Sequence, residues 1–545
     1  MDFFFWKDFS NYFRICVQYF YIDILNFTQT EITDNFVYNL FNAYIVDFFL
    51  NFIEAFNYYF LAILSSLPLI ILFILLLNPK TSSTFQYKIV LLWSGIAFFF
   101  SIILLINRID SPLYYVYERK RPISFFEFRF ESNGVSIFFI LLTNFFIFLC
   151  ILSLSSMTPR LYEALCYLLF LQWSVIATFL VIDILGFFLF FEITLIPIYF
   201  LVLIWGSRER RVRASYLIAI YTLFGSIFMF FNLLYLFSKL GTTDYNLILQ
   251  IVLTQEDQRF LWITFFLAFA AKVPVFPFHI WLPEAHVEAP TIGSVLLAVL
   301  MLKLGTYGLI RFCIPLFPEG TLYFSSIVST LAIIGVIYTC LTAIRQIDLK
   351  KIIAYSSVGH INVVLLGIIS GTSEALQGAI FQRLSHGIVS GALFFSVGAL
   401  YIRYSVRSLK YFGGLAHFYP FFTIIFLLFS LANISFPLTS SFIGEFLIFV
   451  GLFRYNFWAA FFSATSMVLG AVYTLWSFNR IFFGNLSVFS VITFADLNRK
   501  EFALFFPLVI SLFSIGLYPT FYLNIFFYDS IRLLEHADIH RQKNL

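Results

Sequence analysis

The stretch FLWITFFLAFAAKVPVFPFHIW (residues 260–281) decides the fold. It is apolar almost throughout, except that Lys272 stands in its middle with Pro274 and Pro277 directly behind it. A charged side chain at bilayer depth costs several kcal/mol and is rarely kept there without a partner or a task. Proline has no backbone N–H, so the two prolines predict a kinked or broken helix. A lysine at a helix break inside a membrane is typical of proteins that move ions, and a transporter or pump is therefore the first hypothesis.

The composition is that of a membrane protein. Of the 545 residues, 61% are hydrophobic and only 11% are charged, and the mean hydropathy is +0.92. A soluble domain carries roughly a quarter charged residues. We therefore predict an all-α polytopic membrane protein with about fourteen transmembrane helices, each able to cross a hydrocarbon layer of roughly 30 Å. The predicted spans are 58–78, 89–106, 134–155, 161–182, 184–205, 215–238, 260–278, 290–312, 321–344, 352–370, 376–402, 420–453, 457–480 and 502–524.

The twelfth predicted span is too long for one straight crossing, and because it contains Pro437 we predict a second broken helix there. Helices 4–8 and 9–13 would then form two five-helix units with a broken helix at the same place in each. Such matching breaks indicate an inverted repeat with its site at the bilayer midplane. The predicted organisation is an acidic, aromatic-rich extension (1–57), helices 1–3 (58–160), the two repeats (161–312 and 321–480), and helix 14 with a C-terminal tail (481–545).

The extension at 1–57 has two readings that the sequence leaves open. It holds seven acidic residues against Lys7 and Arg14, interleaved with aromatic residues. It either forms an interfacial helix that contacts a neighbouring subunit or lies along the membrane surface without a partner.

Motifs for bound cofactors are missing from the sequence. The five cysteines stand alone without metal-ligand spacing, so neither an iron–sulfur cluster nor a structural zinc site is expected. Neither a P-loop nor a G-x-G-x-x-G motif within a βαβ pattern occurs, so no bound nucleotide is predicted and energy for pumping would come from elsewhere. The start, MDFFFWKDFSNYF, lacks the features of a secretory signal or transit peptide, which favours synthesis inside the compartment that inserts the chain.

Basic residues collect in the loops that follow odd-numbered spans. They include Arg160, Arg208, Arg210, Arg211, Arg213, Arg345, Lys350, Lys351, Arg403, Arg407, Lys410, Arg499 and Lys500. The opposite side is poor in positive charge apart from Arg108 and the segment ERKR (118–121). By the positive-inside rule the basic loops face the matrix or the cytoplasm. We call this face of the membrane the basic side.

Six titratable side chains lie at bilayer depth in the predicted spans. In chain order they are Glu192, Lys272, Lys303, His360, His386 and Glu445. Each one alone can be read as a buried, hydrogen-bonded packing residue, and for the two histidines that is the commoner case. For Glu192, Lys272 and Glu445 this reading is less favoured, because three unpaired packing charges in a membrane would be costly.

An acid and a base in this setting can act as a switch. If Glu192 and Lys272 lie about 7 Å apart at an effective dielectric constant near 20, they attract each other by roughly 2.4 kcal/mol. Separating the pair would favour release of the lysine proton toward Lys303, and from there through His386 to Glu445. Moving one charge against 100 mV costs about 2.3 kcal/mol. The free energy of separating the pair is therefore similar to the work of moving one proton, but an external source of energy must drive the separation.

Several ordered segments resemble one known family. KVPVFPFHIWLPEAHVEAPTIGSVLLAVLMLKLGTYG (272–308) is similar to the signature of the antiporter-like membrane subunits of respiratory complex I. The segments FFEITLIPIYFLVLIWG (190–206), YTLFGSIFMFF (221–231), RQIDLKKIIAYSSVGHIN (345–362) and SFPLTSSFIGEFLIF (435–449) match in the same order. The resemblance extends from about residue 58 to 524. Glu445 favours the subunit 4 branch, since branches two and five of the family carry lysine at that place.

The resemblance implies roles for these residues. Glu192 and Lys272 would form the coupling pair, and Lys303 the central relay. His360 and His386 would continue the polar axis to Glu445, the terminal donor toward the outer side. The segment HIWLPEAHVEAP would be a loop facing the matrix. Its His279, Glu284, His286 and Glu288 could assist proton uptake, although a role in capping the loop is favoured.

The resemblance also implies an assembly. The chain would be a proton-translocating subunit of NADH:ubiquinone oxidoreductase in the mitochondrial inner membrane, without a redox centre of its own. NADH, FMN, iron–sulfur clusters and ubiquinone would be bound by other subunits. Partners would be other membrane-arm subunits, especially neighbouring antiporter-like ones, and membrane lipids with cardiolipin as one candidate, but no nucleic acid.

Alternatives stay open at this point. One is a subunit of a multisubunit Na⁺/H⁺ antiporter, which shares the fold and the charges. Another is a structural scaffold whose charges only hold helices together. A plastid or bacterial origin is a further alternative to the mitochondrial one. The segment ESNGVS (131–136) stands where the family usually has an Asp-Gly pair, which leaves the role of Glu131 in doubt.

Overall fold

The computed structural model describes residues 61, 63–79, 82–110, 130–154, 159–485 and 496–544. They belong almost entirely to the compact unit Ala62–Leu545. The predicted extension at 1–57 lies outside the described residues, and both of its readings stay predictions.

The described chain is built from α-helices in the order that hydropathy predicts, which confirms the all-α polytopic fold. The helices are α1 (Ile63–Leu77), α2 (Ser83–Asp110), α3 (Gly134–Ser153), α4 (Leu161–Leu180), α5 (Ile184–Trp205), α6 (Arg211–Leu240), α7a (Gln255–Lys272), α7b (Trp281–Glu288), α8 (Thr291–Leu316), α9 (Pro318–Ile344), α10 (Leu349–Ile369), α11 (Ser373–Tyr404), α12a (Pro420–Asn433), α12b (Ser440–Tyr455), α13 (Phe457–Phe482), α14 (Arg499–Leu517) and α15 (Pro519–Asn544).

Eleven of the described helices are long and apolar enough to cross a membrane by length and composition. The other three predicted spans have visible reasons for falling outside this set. Helix α1 is shorter, and the seventh and twelfth spans are each split into two helices. Every predicted span thus has a helical counterpart among the described residues. The inverted relation between the two five-helix units remains a prediction.

The break in the seventh span follows from its prolines. Pro274 has no N–H for the carbonyl of Ala270, which instead accepts from the backbone N–H of Val275 at 3.0 Å. The next carbonyl, that of Ala271, accepts from the indole Nε1 of Trp281 at 2.9 Å. The first residue of α7b therefore satisfies a carbonyl left open at the end of α7a, directly beside Lys272.

The predicted break in the twelfth span is also present. Helix α12a ends at Asn433 and α12b begins at Ser440, with Pro437 between them. Ser441 Oγ donates to the carbonyl of Ala432, which also accepts from the backbone N–H of Ser435, and so joins the two halves across the gap. Leu438 has a φ of 75°, a conformation that costs a residue with a side chain of order 1–3 kcal/mol and that concentrates at functional sites.

Two further irregularities were not predicted from the sequence. Helix α5 is interrupted at Thr194, three residues before Pro197. Helix α8 contains π-helical turns at Leu297–Met301 and Leu309–Cys313, on either side of Lys303. π-Helical turns are rare and are often found at functional sites.

Glycines bring α8 against α7a. A Cβ on Gly308 would lie 2.3 Å from the Phe269 ring, and one on Gly305 would lie 2.6 Å from Val273 Cγ2. Small residues allow this kind of close helix approach in membranes. The contact fixes the position of Lys303 on α8 relative to Lys272 on α7a.

The helices that carry the central titratable groups are the most enclosed. In their most apolar windows, α8 is 94% buried and α10 and α11 are each 89% buried, whereas α2 and α14 are only 33% buried. The predicted polar axis therefore runs through the interior of the bundle.

Candidate functional site

All six predicted titratable groups turn away from the outer surface of the bundle. Lys272 and Lys303 are 1% exposed, Glu445 is 2% exposed and His386 is 3% exposed. The side chain of His360 is 12% exposed. Both carboxylate oxygens of Glu192 are buried. A lipid-facing arrangement of these side chains would have ruled out a shared pathway, and it is not what the structure has.

Lys272 is held by helix α5 at its interruption. Its Nζ donates to the carbonyl oxygen of Phe191 at 2.5 Å and lies 3.4 Å from Thr194 Oγ1. The same Nζ lies 3.2 Å from the centroid of the Phe191 ring, a cation–π contact. Thr194 Oγ1 also donates to the Phe191 carbonyl at 2.8 Å. One carbonyl exposed by the helix interruption thus receives the ammonium group.

Glu192 lies close to Lys272 but does not form an ion pair with it. Within the described part of the chain, neither carboxylate oxygen of Glu192 has a hydrogen-bond partner. The Lys272 charge and the Ser226 hydroxyl on α6 are its polar neighbours. The two members of the predicted coupling pair therefore lie near each other, without a hydrogen bond between their side chains.

Lys303 is joined to the next predicted residue. Its Nζ donates to the carbonyl of Ala298, five residues earlier, at 2.5 Å, across the wide π-helical turn. The same Nζ lies 3.4 Å from His386 Nδ1 on α11. The π-helical turn widens the backbone at this point and presents a carbonyl to the ammonium group.

The contacts continue to Glu445. The rings of His386 and His360 have centroids 5.8 Å apart. His360 Nδ1 lies 2.7 Å from Glu445 Oε1, which also accepts from Gln382 Nε2 at 2.9 Å. The Nε2 atoms of both histidines have no hydrogen-bond partner among the described residues. The structure therefore brings Lys303, His386, His360 and Glu445 next to one another in that order.

The line has one gap. No hydrogen bond between described residues joins Lys272 to Lys303. The space between them is occupied by the tight packing of Gly305 and Gly308 against α7a.

The prediction of a loop at HIWLPEAHVEAP was wrong in one respect. Residues Trp281–Glu288 form the helix α7b, with Pro283 in its first turn, where its missing N–H has no helical acceptor to satisfy. His279, His286 and Glu288 are buried, whereas Glu284 is partly exposed and lies 3.7 Å from Arg213. His286 stacks on Phe394 with ring centroids 4.7 Å apart.

The sequence reasoning missed Arg383. This residue is 0% exposed on α11, and its Nε donates to Thr306 Oγ1 at 2.9 Å. Its Nη2 donates to the Leu302 carbonyl, and its Nη1 has no hydrogen-bond partner within the described chain. Both acceptors flank Lys303 on α8. The sequence feature that could have identified it is an arginine inside the predicted span 376–402, three residues before His386.

Comparison with known proteins identifies the family. The family model described as "NADH:quinone oxidoreductase/Mrp antiporter, TM" matches residues 182–506. A Marchantia polymorpha protein named NADH-ubiquinone oxidoreductase chain 4 is 45% identical over 475 residues, which cover 86% of this chain and 96% of that protein. The chain belongs to the NADH:quinone oxidoreductase/Mrp antiporter family. The resemblance seen in the sequence is thereby confirmed.

Solved structures agree with this family assignment. A chain of respiratory complex I from Thermus thermophilus is 27% identical, with a TM-score of 0.79, and the match covers 88% of this chain and 99% of that one. A chain of the Mrp complex from Dietzia is 18% identical, with a TM-score of 0.78 and coverage of 89% and 100%. The second likeness concerns the fold alone.

Glu131, where this family member departs from the expected Asp-Gly pair, has a structural partner. The carboxylate is 5% exposed and its Oε2 lies 3.4 Å from Arg311 Nη2 near the end of α8. The Arg311 guanidinium in turn lies over the Tyr245 ring at 4.3 Å. The acid therefore ties the start of α3 to α8.

Proposed function

We propose that this chain is a core proton-translocating membrane subunit of an NADH:ubiquinone oxidoreductase. The observation that carries the proposal is the buried line of contacts Lys303–His386–His360–Glu445. The near-full-length relative named NADH-ubiquinone oxidoreductase chain 4 supports the choice of complex. Quinone reduction, and the NADH, FMN and iron–sulfur chemistry that feeds it, belong to other subunits.

The switch in this proposal is the Glu192–Lys272 pair. In the structure, the Phe191 carbonyl and ring hold the ammonium group, and Glu192 makes no hydrogen bond to it. Movement of Lys272 toward Glu192 gains charge attraction of roughly 2–3 kcal/mol at a distance near 7 Å and an effective dielectric constant near 20. A shift of helix α5 or α7a driven from outside the chain would move the lysine between the two partners.

The relay moves one proton along four groups. Protonated Lys303 gives a proton to His386 Nδ1, and His386 releases one from Nε2. The two histidine rings are too far apart for a direct hydrogen bond, so a water molecule between the unpartnered Nε2 atoms carries the proton to His360. His360 releases the proton on Nδ1 to Glu445 Oε1. Each step breaks one N–H bond and forms one N–H or O–H bond.

The setting of the relay is the mitochondrial inner membrane, with the basic side toward the matrix. Other membrane-arm subunits, especially antiporter-like neighbours, would flank the chain. Membrane lipids, with cardiolipin as one candidate, would fill the grooves on its surface. The predicted domain organisation, with repeats at 161–312 and 321–480, fits the placement of the two broken helices.

The test uses the intact complex in proteoliposomes. Lys272→Ala and Glu192→Ala should each leave assembly near normal, as measured on native gels, and should lower NADH-driven proton pumping at least several-fold. Glu256→Ala, at an exposed acid in the first turn of α7a, serves as a control. Full pumping with both Lys272 and Glu192 neutralised would contradict their role as a switch and favour a structural scaffold.

Co-purification separates the proposal from a Na⁺/H⁺ antiporter. Mild detergent extraction should bring down companion chains with flavin and iron–sulfur absorbance. A complex without redox centres that exchanges Na⁺ for H⁺ would favour the antiporter reading instead.

A further inference from the structure

A small cavity, lined in part by polar side chains, lies between helices α10, α11, α12a and α13. Its volume is about 30 Å³. Three of its four helices contribute a side chain that can donate or accept a hydrogen bond. The polar residues of the lining are Ser356, Ser430, Asn433, Tyr473, Thr474 and Ser477.

The size and lining of the cavity suit water. A cavity needs roughly 10–15 Å³ of accessible volume for one water molecule, and the water needs two to four polar partners. This cavity therefore has room for about two water molecules among six polar side chains. Apolar cavities of this kind stay dry.

The inner end of the cavity lies about one helical turn from His360 of the relay. Ser356 lies one helical turn before His360 on α10, so both side chains share a face of that helix. Asn433, the last residue of α12a, lies close to both His360 and Tyr473. His360 Nδ1 is engaged with Glu445, whereas His360 Nε2 has no hydrogen-bond partner in the described chain.

The other end of the cavity points to the basic side. Leu349 and Ile352, which also line it, belong to the first turn of α10, just after the loop that carries Arg345. Ser477 lies five residues before the end of α13. From Leu349 to Ser356 the helix rises by roughly 10 Å, so two water molecules and the hydroxyl groups can cover much of the distance.

We propose that this cavity is a water-filled proton branch from the basic side to the His360–Glu445 pair, with the Tyr473 hydroxyl as its inner relay group. The proposal rests on the proposed function. An excess proton on the cavity water binds His360 Nε2 while Nδ1 releases its proton to the Glu445 carboxylate. Glu445 is then loaded by two routes that meet at His360, one from Lys303 and one from the cavity.

The decisive experiment compares two neighbouring serines in the intact, reconstituted complex. Ser356 and Ser357 are 2% and 1% exposed, and both hydroxyls donate to the Ile353 carbonyl, at 2.8 and 2.9 Å. Only Ser356 lines the cavity. Ser356→Ala and Tyr473→Phe should lower the proton-pumping rate about threefold or more and should weaken its dependence on pH at the basic side, since the route through Lys303 remains. Ser357→Ala should match the parent complex.

Two results would overturn the branch. One is normal pumping with normal dependence on basic-side pH in Tyr473→Phe and in Ser356→Ala. The other is an equal loss in Ser356→Ala and Ser357→Ala, which would indicate a helix-packing effect. If Tyr473→Phe fails to assemble on native gels, the comparison of Ser356→Ala with Ser357→Ala alone decides whether the branch exists.

A Glu445→Gln variant distinguishes failure of the cavity branch from failure of the proposed function. If Glu445→Gln stops pumping while the cavity variants pump normally, only the branch is wrong. If Glu445→Gln pumps fully, the relay itself fails.

Discussion

The Lys272 ammonium group and the Phe191 residue make two contacts at once: a hydrogen bond of 2.5 Å to the Phe191 carbonyl and a cation–π contact of 3.2 Å to its ring centroid. The Phe191 carbonyl lies beside the interruption of α5 at Thr194. The ammonium group is therefore held by a neutral carbonyl and a ring, whereas a carboxylate was the predicted partner.

Thr194 should act as a positioning residue for Lys272. Its hydroxyl lies 3.4 Å from Lys272 Nζ and donates to the Phe191 carbonyl at 2.8 Å. Thr194→Val keeps the shape but removes two hydrogen bonds, of which the one from Lys272 is worth about 1 kcal/mol. We expect the rate of NADH-driven proton pumping, measured in proteoliposomes, to fall roughly fivefold. Thr194→Ser should restore the parent rate, and equal behaviour of the valine and serine variants would contradict the role.

His386 should be required for the relay but not for the fold. Its Nδ1 faces Lys303, and its Nε2 has no hydrogen-bond partner among the described residues, so His386→Gln removes little packing but ends the proton transfer. Pumping should fall at least tenfold, measured by a pH-sensitive dye, with assembly unchanged. Ser390→Ala, one helical turn later and also buried, is the control.

Arg383 and Thr306 should respond in opposite ways to substitution. Replacing a buried ionic group by an apolar side chain of similar volume is often neutral or stabilising, so Arg383→Met should leave thermal stability unchanged or raised. Thr306→Val removes the acceptor of Arg383 Nε and leaves a buried charged donor unsatisfied, at a cost of about 1–3 kcal/mol. The melting temperature of the purified complex checks both. A strong loss of stability in Arg383→Met would show that its contacts outweigh its desolvation.

Gly308 should tolerate no side chain. A Cβ would lie 2.3 Å from the Phe269 ring, so Gly308→Ala must push α8 away from α7a at a cost of about 1–3 kcal/mol. Reduced assembly on native gels is expected. At Gly95 the corresponding contact is 3.5 Å from Phe148, and Gly95→Ala should assemble normally. Recovery of assembly in the double variant Gly308→Ala with Phe269→Leu would show that the steric clash is with the Phe269 ring.

The sequence alone predicted the two helix breaks and the buried titratable groups, because both follow from the chemical nature of single residues. Pro274 and Pro437 lack an N–H wherever they stand, so both helix breaks followed from the residues themselves. The six titratable groups were likewise visible as charges or imidazoles in apolar spans. Their burial in the interior was the physical requirement for keeping them there.

The remaining features depend on packing that a linear pattern does not contain. The π-helical turns beside Lys303 and the interruption at Thr194 come from how α8 and α5 meet their neighbours. Side-chain geometry decides the hydrogen-bond acceptor of the Lys272 ammonium group. The acceptor is the Phe191 carbonyl, where a carboxylate was expected. Arg383 was visible as a charge, but its acceptors lie on another helix.

The indole of Trp281 has a mechanical consequence. It binds the carbonyl of Ala271, the residue next to Lys272, while α7b is tied at its other end to the basic side by Ser207, whose N–H donates to Glu288. The short helix α7b therefore connects the loop at Ser207 to the backbone beside the ammonium group. A tilt of this helix would move the Ala271 carbonyl and, with it, the end of α7a that carries Lys272.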